Sequence, residues 1–393
     1  MQRRHDIDAL RALAFALVIV YHVGMYYVEG WGWHLKSPHA AAWVQAPMRA
    51  LNLWRMDLVF LVSGIALALM WRGGSRWALL RQRSGRLLLP LAFGMAVVVP
   101  WQPYAQGVAN GLVEPGFGAF LLRYYTGGPW PAGAFDGAHV GVTWNHLWYL
   151  PYLWLYTVLF VLALPVLESA AGRRLRAAFT GLRGARLLLP ALPLMAYSLL
   201  LWPHFPPTHD LVGDAWLHAV YGTLFLYGWF IGLHAGLWAE LRHRRWPASV
   251  LALGLLALYL PLRGAAPEGI AALGLRLLAD LYLWTAILAV LGWAHHALNH
   301  PWRWLGWANE SVYPWYLLHQ TLIIAAAVAL APLALGPVLE PLALLLATVG
   351  GCWILTAGVR RSNVLRPLFG LKRRAPLPRP SPATPADPAA SSA

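Results

Sequence analysis

Residues 8–28 read DALRALAFALVIVYHVGMYYV, and this stretch decides the fold. Roughly 20 apolar residues at about 1.5 Å each cross the hydrocarbon core of a bilayer, so the stretch is long enough to span one. It nevertheless carries Arg11 and His22. Eleven residues at about 100° each make three turns plus roughly 20°, which places both side chains on one helix face, about 16 Å apart along the axis. Arg11 then lies near one membrane surface and His22 near mid-depth. Ionisable groups inside a span are costly and face a bundle interior or a wet cavity. A histidine there can accept and return a proton near neutral pH, as a general base must. It can equally serve as a hydrogen-bond partner between helices.

The remaining sequence extends this pattern. The 393 residues are 59% hydrophobic and 11% charged, against about 25% charged in soluble chains. Repeated apolar runs define an all-α integral membrane protein with ten candidate spans, near 8–28, 52–71, 87–104, 147–167, 187–202, 216–239, 247–262, 271–293, 312–331 and 338–358. An even count puts both termini on one side. Arginines cluster between alternate spans, at Arg72 to Arg86, Arg173 to Arg186, Arg242 to Arg245, and beyond Arg360. The positive-inside rule makes those segments, and both termini, cytoplasmic. Lys36, Arg49, Arg55, Arg123, Arg263 and Arg276 are left on the outer side. The net charge of +15 is accounted for by these loops, so a nucleic-acid partner is not expected. The single cysteine, Cys352, excludes an intramolecular disulfide. The first span is too long for a cleavable signal core.

Two long outer segments, 29–51 and 105–146, are rich in Trp, Gly, His and Pro. Their tryptophans suit an interfacial belt, or a platform for apolar sugar faces. Residues 1–366 read as one membrane domain. Residues 367–393 read as a basic, Pro/Ala/Ser-rich disordered cytoplasmic tail.

Several polar groups lie within the apolar runs. Asp57 opens the second span and Ser63-Gly64 sit in its middle, where such a pair more often permits close helix packing than chemistry. Arg83 and Arg86 are three apart and neighbours on one helix face. They suit either a lipid-surface anchor or a forked grip on phosphate. With Arg11 they would place three arginines at the inner surface, with a histidine deeper in. His146 marks the outer edge of the fourth span. Ser311, Tyr313, Tyr316 and His319 open the ninth, with His319 about a third of the way in from the cytoplasmic side, where it either hydrogen-bonds another helix or helps line the same cavity as His22. No histidines sit at metal-ligand spacing, no catalytic metal is expected, and no nucleotide-binding loop or hydrolase elbow is present.

In order along the chain, these residues resemble the motifs of the acyltransferase family 3 membrane proteins, nearest the branch that modifies envelope glucans. The matching elements are Arg11 and His22, Asp57-Leu58-Val59-Phe60 with Ser63-Gly64, Arg83-Ser84-Gly85-Arg86, His146 to Leu150, and Ser311, Tyr313, Tyr316 with His319. The resemblance implies a bundle that transfers an acetyl or succinyl group from cytoplasmic acyl-CoA to a hydroxyl of an extracytoplasmic carbohydrate, in a bacterial inner membrane. His22 would be the base or relay, and Arg11, Arg83 and Arg86 would bind the phosphates of the donor. Some members carry an added hydrolase-like domain; this chain is expected to finish the transfer alone or pass the acyl group to a periplasmic or membrane partner. The rival readings are a transporter or flippase, with the same groups in a substrate or proton path, and a scaffold or sensor in which His22 is structural.

Overall fold

A computed structural model describes residues 4–71, 73–232 and 234–374. Among the described residues sixteen α-helices run in order, beginning with α1 (His5–Tyr27), α2 (Gln45–Asn52), α3 (Arg55–Met70), α4 (Arg76–Phe93), α5 (Trp101–Ala109), α6 (Phe117–Tyr125), α7 (Tyr149–Leu167) and α8 (Ala170–Thr180). They continue with α9 (Ala191–Leu200), α10 (Ala215–Ile231), α11 (Ala235–His243), α12 (Arg245–Gly264), α13 (Gly269–Ala297), α14 (Leu305–Leu330), α15 (Gly336–Arg361) and α16 (Leu365–Leu368). Among the described residues β-pairing is confined to an isolated bridge between Val28 and Ala41.

Among the described residues eight helical segments are long and apolar enough to cross a membrane. Two expected spans take another form. The one at 187–202 falls in a shorter apolar helical stretch, Gly184–Leu200. The one at 216–239 is broken: α10 ends at Ile231, and α11 leaves at an angle of 107°. The His234 ring there accepts a hydrogen bond from the Leu237 amide and caps the new helix. The third span is far longer than 87–104, because Ser75 caps α4 early. A π turn over Gly94–Val98 then carries the helix on into α5 after Pro90 has removed a backbone donor. The two outer segments are also more structured than the sequence suggested. Segment 105–146 holds α6 and a small core of Phe120, Tyr124, Ala134 and Phe135, against which Trp130 packs.

The face where α1 begins is here the near face, and the opposite one the far face. At the core α1 packs between α3, α13 and α14. The tightest helix pair is α3 with α10: a Cβ added at Gly64 would lie 1.9 Å from the Phe225 carbonyl oxygen, and one at Gly228 1.9 Å from that of Leu61. Gly64 therefore serves close packing. The outer surfaces of α7, α12 and α15 expose Leu159, Leu162, Leu253, Leu258, Leu342 and Leu346, as helices facing lipid do. Packing continues past Arg366, since Phe369 and Leu371 are both buried; residues 375–393 of the expected tail lie outside the described residues.

Candidate active site

Three layers of polar groups meet inside the bundle. The middle layer is a pair of histidines, one from α1 and one from α14. His22 Nδ1 lies 2.8 Å from His319 Nε2, with the rings stacked 5.0 Å apart. The protons in this pair follow from what surrounds it. His319 Nδ1 faces the carbonyl oxygens of Tyr316 at 2.8 Å and Trp315 at 3.1 Å. Carbonyls only accept, so this nitrogen carries a proton and donates. In a neutral imidazole Nε2 is then the bare acceptor, and His22 Nδ1 must donate to it. The lone pair of His22 is thereby left on Nε2, to which no described residue hydrogen-bonds. His22 is half-buried, whereas His319 is fully buried. The arrangement is that of a base oriented by a second group. His319 lies farther from the start of its helix than expected, because α14 begins at Leu305 and not near Ser311.

Toward the near face lies a cationic cluster. Arg11 donates to Asn309 of α14. Arg83 and Arg86 of α4 lie close enough to Tyr313 to interact with it electrostatically, and the Arg86 guanidinium stands over the Tyr313 ring, 5.5 Å from its centre. Arg83 is buried, and its Nε and Nη2 atoms, with Nε of Arg11 and Nε of Arg86, have no hydrogen-bond partner. Among the described residues neither Arg83 nor Arg86 has a salt bridge, and the nearest carboxylate to Arg11 is Asp8, at 3.8 Å. Buried donors and uncompensated positive charge are costly when left so. A phosphate-bearing ligand would satisfy both, and the donor set fits one.

Between cluster and histidines stands a collar of aromatic rings. Phe15 lies 6.1 Å from Tyr149 and 5.4 Å from Tyr316, and Tyr149 lies 5.9 Å from Tyr316. Phe15 sits on the Arg11–His22 face of α1, one turn beyond Arg11. Ser63 is absorbed here. Its hydroxyl donates to the Val59 carbonyl at 2.8 Å and accepts from Tyr149 at 2.6 Å, so no base faces it and it is not placed as a nucleophile.

Toward the far face a buried amide network backs the histidines. His146 donates from Nε2 to the Leu317 carbonyl at 3.1 Å and accepts at Nδ1 from Gln102 at 3.2 Å. Both of its nitrogens are committed, so it orients rather than exchanges protons. Its ring stands 5.1 Å from that of His319, and its carbonyl accepts from Tyr316 at 2.7 Å. Gln102 also donates to Thr321 at 2.7 Å and accepts from Gln320 and Asn145, both at 3.1 Å. Gln320 donates to His34 at 2.9 Å, and His34 to Gln106 at 2.6 Å. Burial holds the His34 imidazole below its ordinary range, which Asp136 and Gln106 only partly offset. Such a network is rigid when every member is satisfied.

Asp57 is not part of these layers. It is buried in a separate cavity on the far side of α3, together with Arg55. His34, Gln102, Gln106, Asn309 and Arg55 were missed from sequence. The single signal available for Gln102 was a polar residue within an otherwise apolar run. Among the described residues no three His, Cys, Asp or Glu side chains are grouped as a metal site.

The bundle is thus a polytopic helical membrane protein with ionisable groups gathered around one histidine pair. A family profile described as an acyltransferase domain matches residues 4–357, nearly the whole chain. The chain belongs to this acyltransferase 3 family and is a membrane acyltransferase. No curated protein and no solved structure gives a significant match.

Proposed function

We propose that this protein transfers an acyl group from an acyl-CoA at the near face to a hydroxyl of a carbohydrate supplied from the far face. The near face is then cytoplasmic, both termini lie there, and the chain crosses a bacterial inner membrane ten times, α9 and the bent α10–α11 pair included. The observation that carries the proposal is the bare Nε2 of His22, on the same helix face as Arg11, which meets the unsatisfied Arg83 and Arg86 of α4 around Tyr313. Acyl-CoA supplies an activated thioester. Arg11, Arg83 and Arg86 bind its phosphates, and the aromatic collar guides its narrow arm toward His22. His22 Nε2 takes the proton of the incoming hydroxyl as its oxygen attacks the thioester carbonyl; the C–S bond then breaks, and His22 returns the proton to the departing CoA thiolate. The intervening His22 cation is stabilised through Nδ1–H by His319, whose own proton is held by the Tyr316 carbonyl. A fixed hydrogen-bond chain of this kind needs little reorganisation during reaction. The preferred acyl group is acetyl or succinyl, and the preferred acceptor an envelope glucan.

The test is mass spectrometry of envelope glycans from null cells carrying wild-type protein or His22→Ala at equal membrane abundance. An acetyl- or succinyl-sized mass present only with wild type supports the proposal. Survival of that mass in His22→Ala removes His22 from the chemistry. Absence of acyl-CoA consumption by the purified protein would favour transport.

A further inference from the structure

A cavity of about 630 Å³ opens beside the histidine pair on the far side of α3, within the roughly 300–1,000 Å³ of small-molecule sites. It is framed by the far ends of α3, α9, α10, α12 and α13, with the loop residues Pro207, His209 and Pro267 at its rim. Its floor is ionic. Arg55 is 5% exposed and Asp280 6% exposed. Yet Arg55 Nε and Nη1 and Asp280 Oδ2 have no hydrogen-bond partner. Asp57 is the second buried carboxylate of the floor. The walls are aromatic: Trp148 lies 4.3 Å from the His209 ring, and the Arg276 guanidinium stacks 4.0 Å from the centre of Trp202.

From this geometry we infer that the cavity is the acceptor site, and that it takes a neutral polyhydroxylated ring. The inference rests on the acyltransferase reading and says where that reaction's second substrate sits. Orphaned buried donors and an orphaned acceptor lining one cavity need a ligand that both accepts and donates, as a polyhydroxylated ring does. A polyanion would meet Asp57 and Asp280, and a lipid chain would strand the ionic floor. His209 adds no cation, because burial holds its imidazole below the ordinary range. The tryptophan faces offer the apolar surface against which a sugar ring stacks. Two side chains, Arg55 and Tyr21, stand between the cavity and the base. Arg55 lies 3.4 Å from the centre of the Tyr21 ring, which stands 5.8 Å from the ring of His22, and Asn52 on the cavity wall accepts from the Tyr21 hydroxyl at 3.0 Å. Finally, Arg55, Arg263 and Arg276 are three of the six basic residues that the charge bias of the loops left on the outer side. Their convergence on one cavity gives them a shared task there.

The experiment uses full-length protein in null cells, and the same proteins purified in lipid nanodiscs with acetyl-CoA as the binding probe. Asp280→Asn keeps shape and removes the carboxylate; Arg276→Ala alters a half-exposed wall and guards against misfolding of the first variant. Each is expected to lower glycan acylation at least tenfold, with acetyl-CoA affinity and membrane abundance within twofold of wild type. Wild-type acylation in both variants overturns the acceptor site while leaving the acyltransferase reading intact. An acylated product whose modified ring carries phosphate or carboxylate overturns the neutral-ring assignment. If wild-type cells acylate no more than the null, the acyltransferase reading fails, and this inference with it.

Discussion

The two arginine-lined regions on either side of the histidine pair are built on opposite electrostatic plans. Near the start of α1, Arg11, Arg83 and Arg86 gather around Tyr313 and Tyr149, with Asp8 the only carboxylate within ion-pair reach among the described residues. On the far side of α3, Arg55, Arg263 and Arg276 share one cavity with Asp57 and Asp280. Uncompensated cations suit a ligand that brings several negative charges. Interleaved signs suit one with hydrogen bonds and no net charge. On the proposed reading the same residue type serves two ligand chemistries, and what separates them is the presence of carboxylates.

The largest effect lies where the two regions meet. His22→Ala is expected to lower acyl transfer about a thousandfold, within the range for loss of a general base, while acyl-CoA binding by the purified protein persists. A parallel loss of binding would mean that the histidine holds the site together and is not its base. Next comes the cationic plan. Arg83→Ala removes charge-assisted hydrogen bonds worth roughly 1.5–3 kcal/mol, so donor affinity in a titration should fall about ten- to a hundredfold. Arg83→Lys should recover only part of this, because an ammonium lacks the forked geometry. Full recovery would reduce the cluster to a point-charge field.

The rim of the far cavity is a loop, unlike the helical walls of the donor cluster, and a carboxylate pins it. Asp214 accepts from the Thr208 amide at 2.6 Å, the Thr208 hydroxyl at 2.8 Å and the His209 amide at 2.7 Å, and also from Tyr152. Burial pushes its pKa up, but these bonds outweigh burial and hold it below the usual carboxylate value. Its stabilising contribution is therefore present above a pH of about 4 and lost as pH falls through the lower folded-state pKa. Asp214→Ala should cost about 2 kcal/mol and expose the 203–213 loop to protease, with acetyl-CoA affinity unchanged. Equal proteolysis of variant and wild type would show that the rim does not depend on this carboxylate. The smallest effect is expected at Tyr316→Phe, which removes a neutral hydrogen bond to the His146 carbonyl worth about 1 kcal/mol. Transfer should fall roughly fivefold, and a loss beyond a hundredfold would place the Tyr316 hydroxyl in the chemistry itself.

How much of this could be read from the sequence depended on whether the signal was local. The Arg11–His22 face, the apolar spans and the Arg83–Arg86 pair are local periodicities, and each lies on a helix in the structure. Gly64 was readable as a packing residue because small residues in spans have few other uses. For His22 and His319 a shared cavity was readable as one of two alternatives but their direct contact was not, since it joins residues nearly 300 positions apart; the start of α14 was placed too late because its first turns are rich in Trp and polar groups. The break between α10 and α11 was hidden by continuous hydrophobicity across it. Arg55 was sorted as an ordinary outer charge, since no local pattern distinguishes a loop cation from one folded into a cavity. Gln102 and His34 acquire meaning only through partners from other helices.

The aromatic collar has a consequence for the cell as a whole. An enzyme that admits one substrate from each side of a bilayer is separated from being an open pore by the groups between its two chambers. If this protein works as proposed, those groups include Phe15, Tyr149 and Tyr316. Their rings act as insulation as much as a guide, since a water wire past them would short-circuit the proton gradient through two ready-made carriers, His22 and His319. Selection on Phe15 would then answer to the energy economy of the membrane as well as to the rate of acylation.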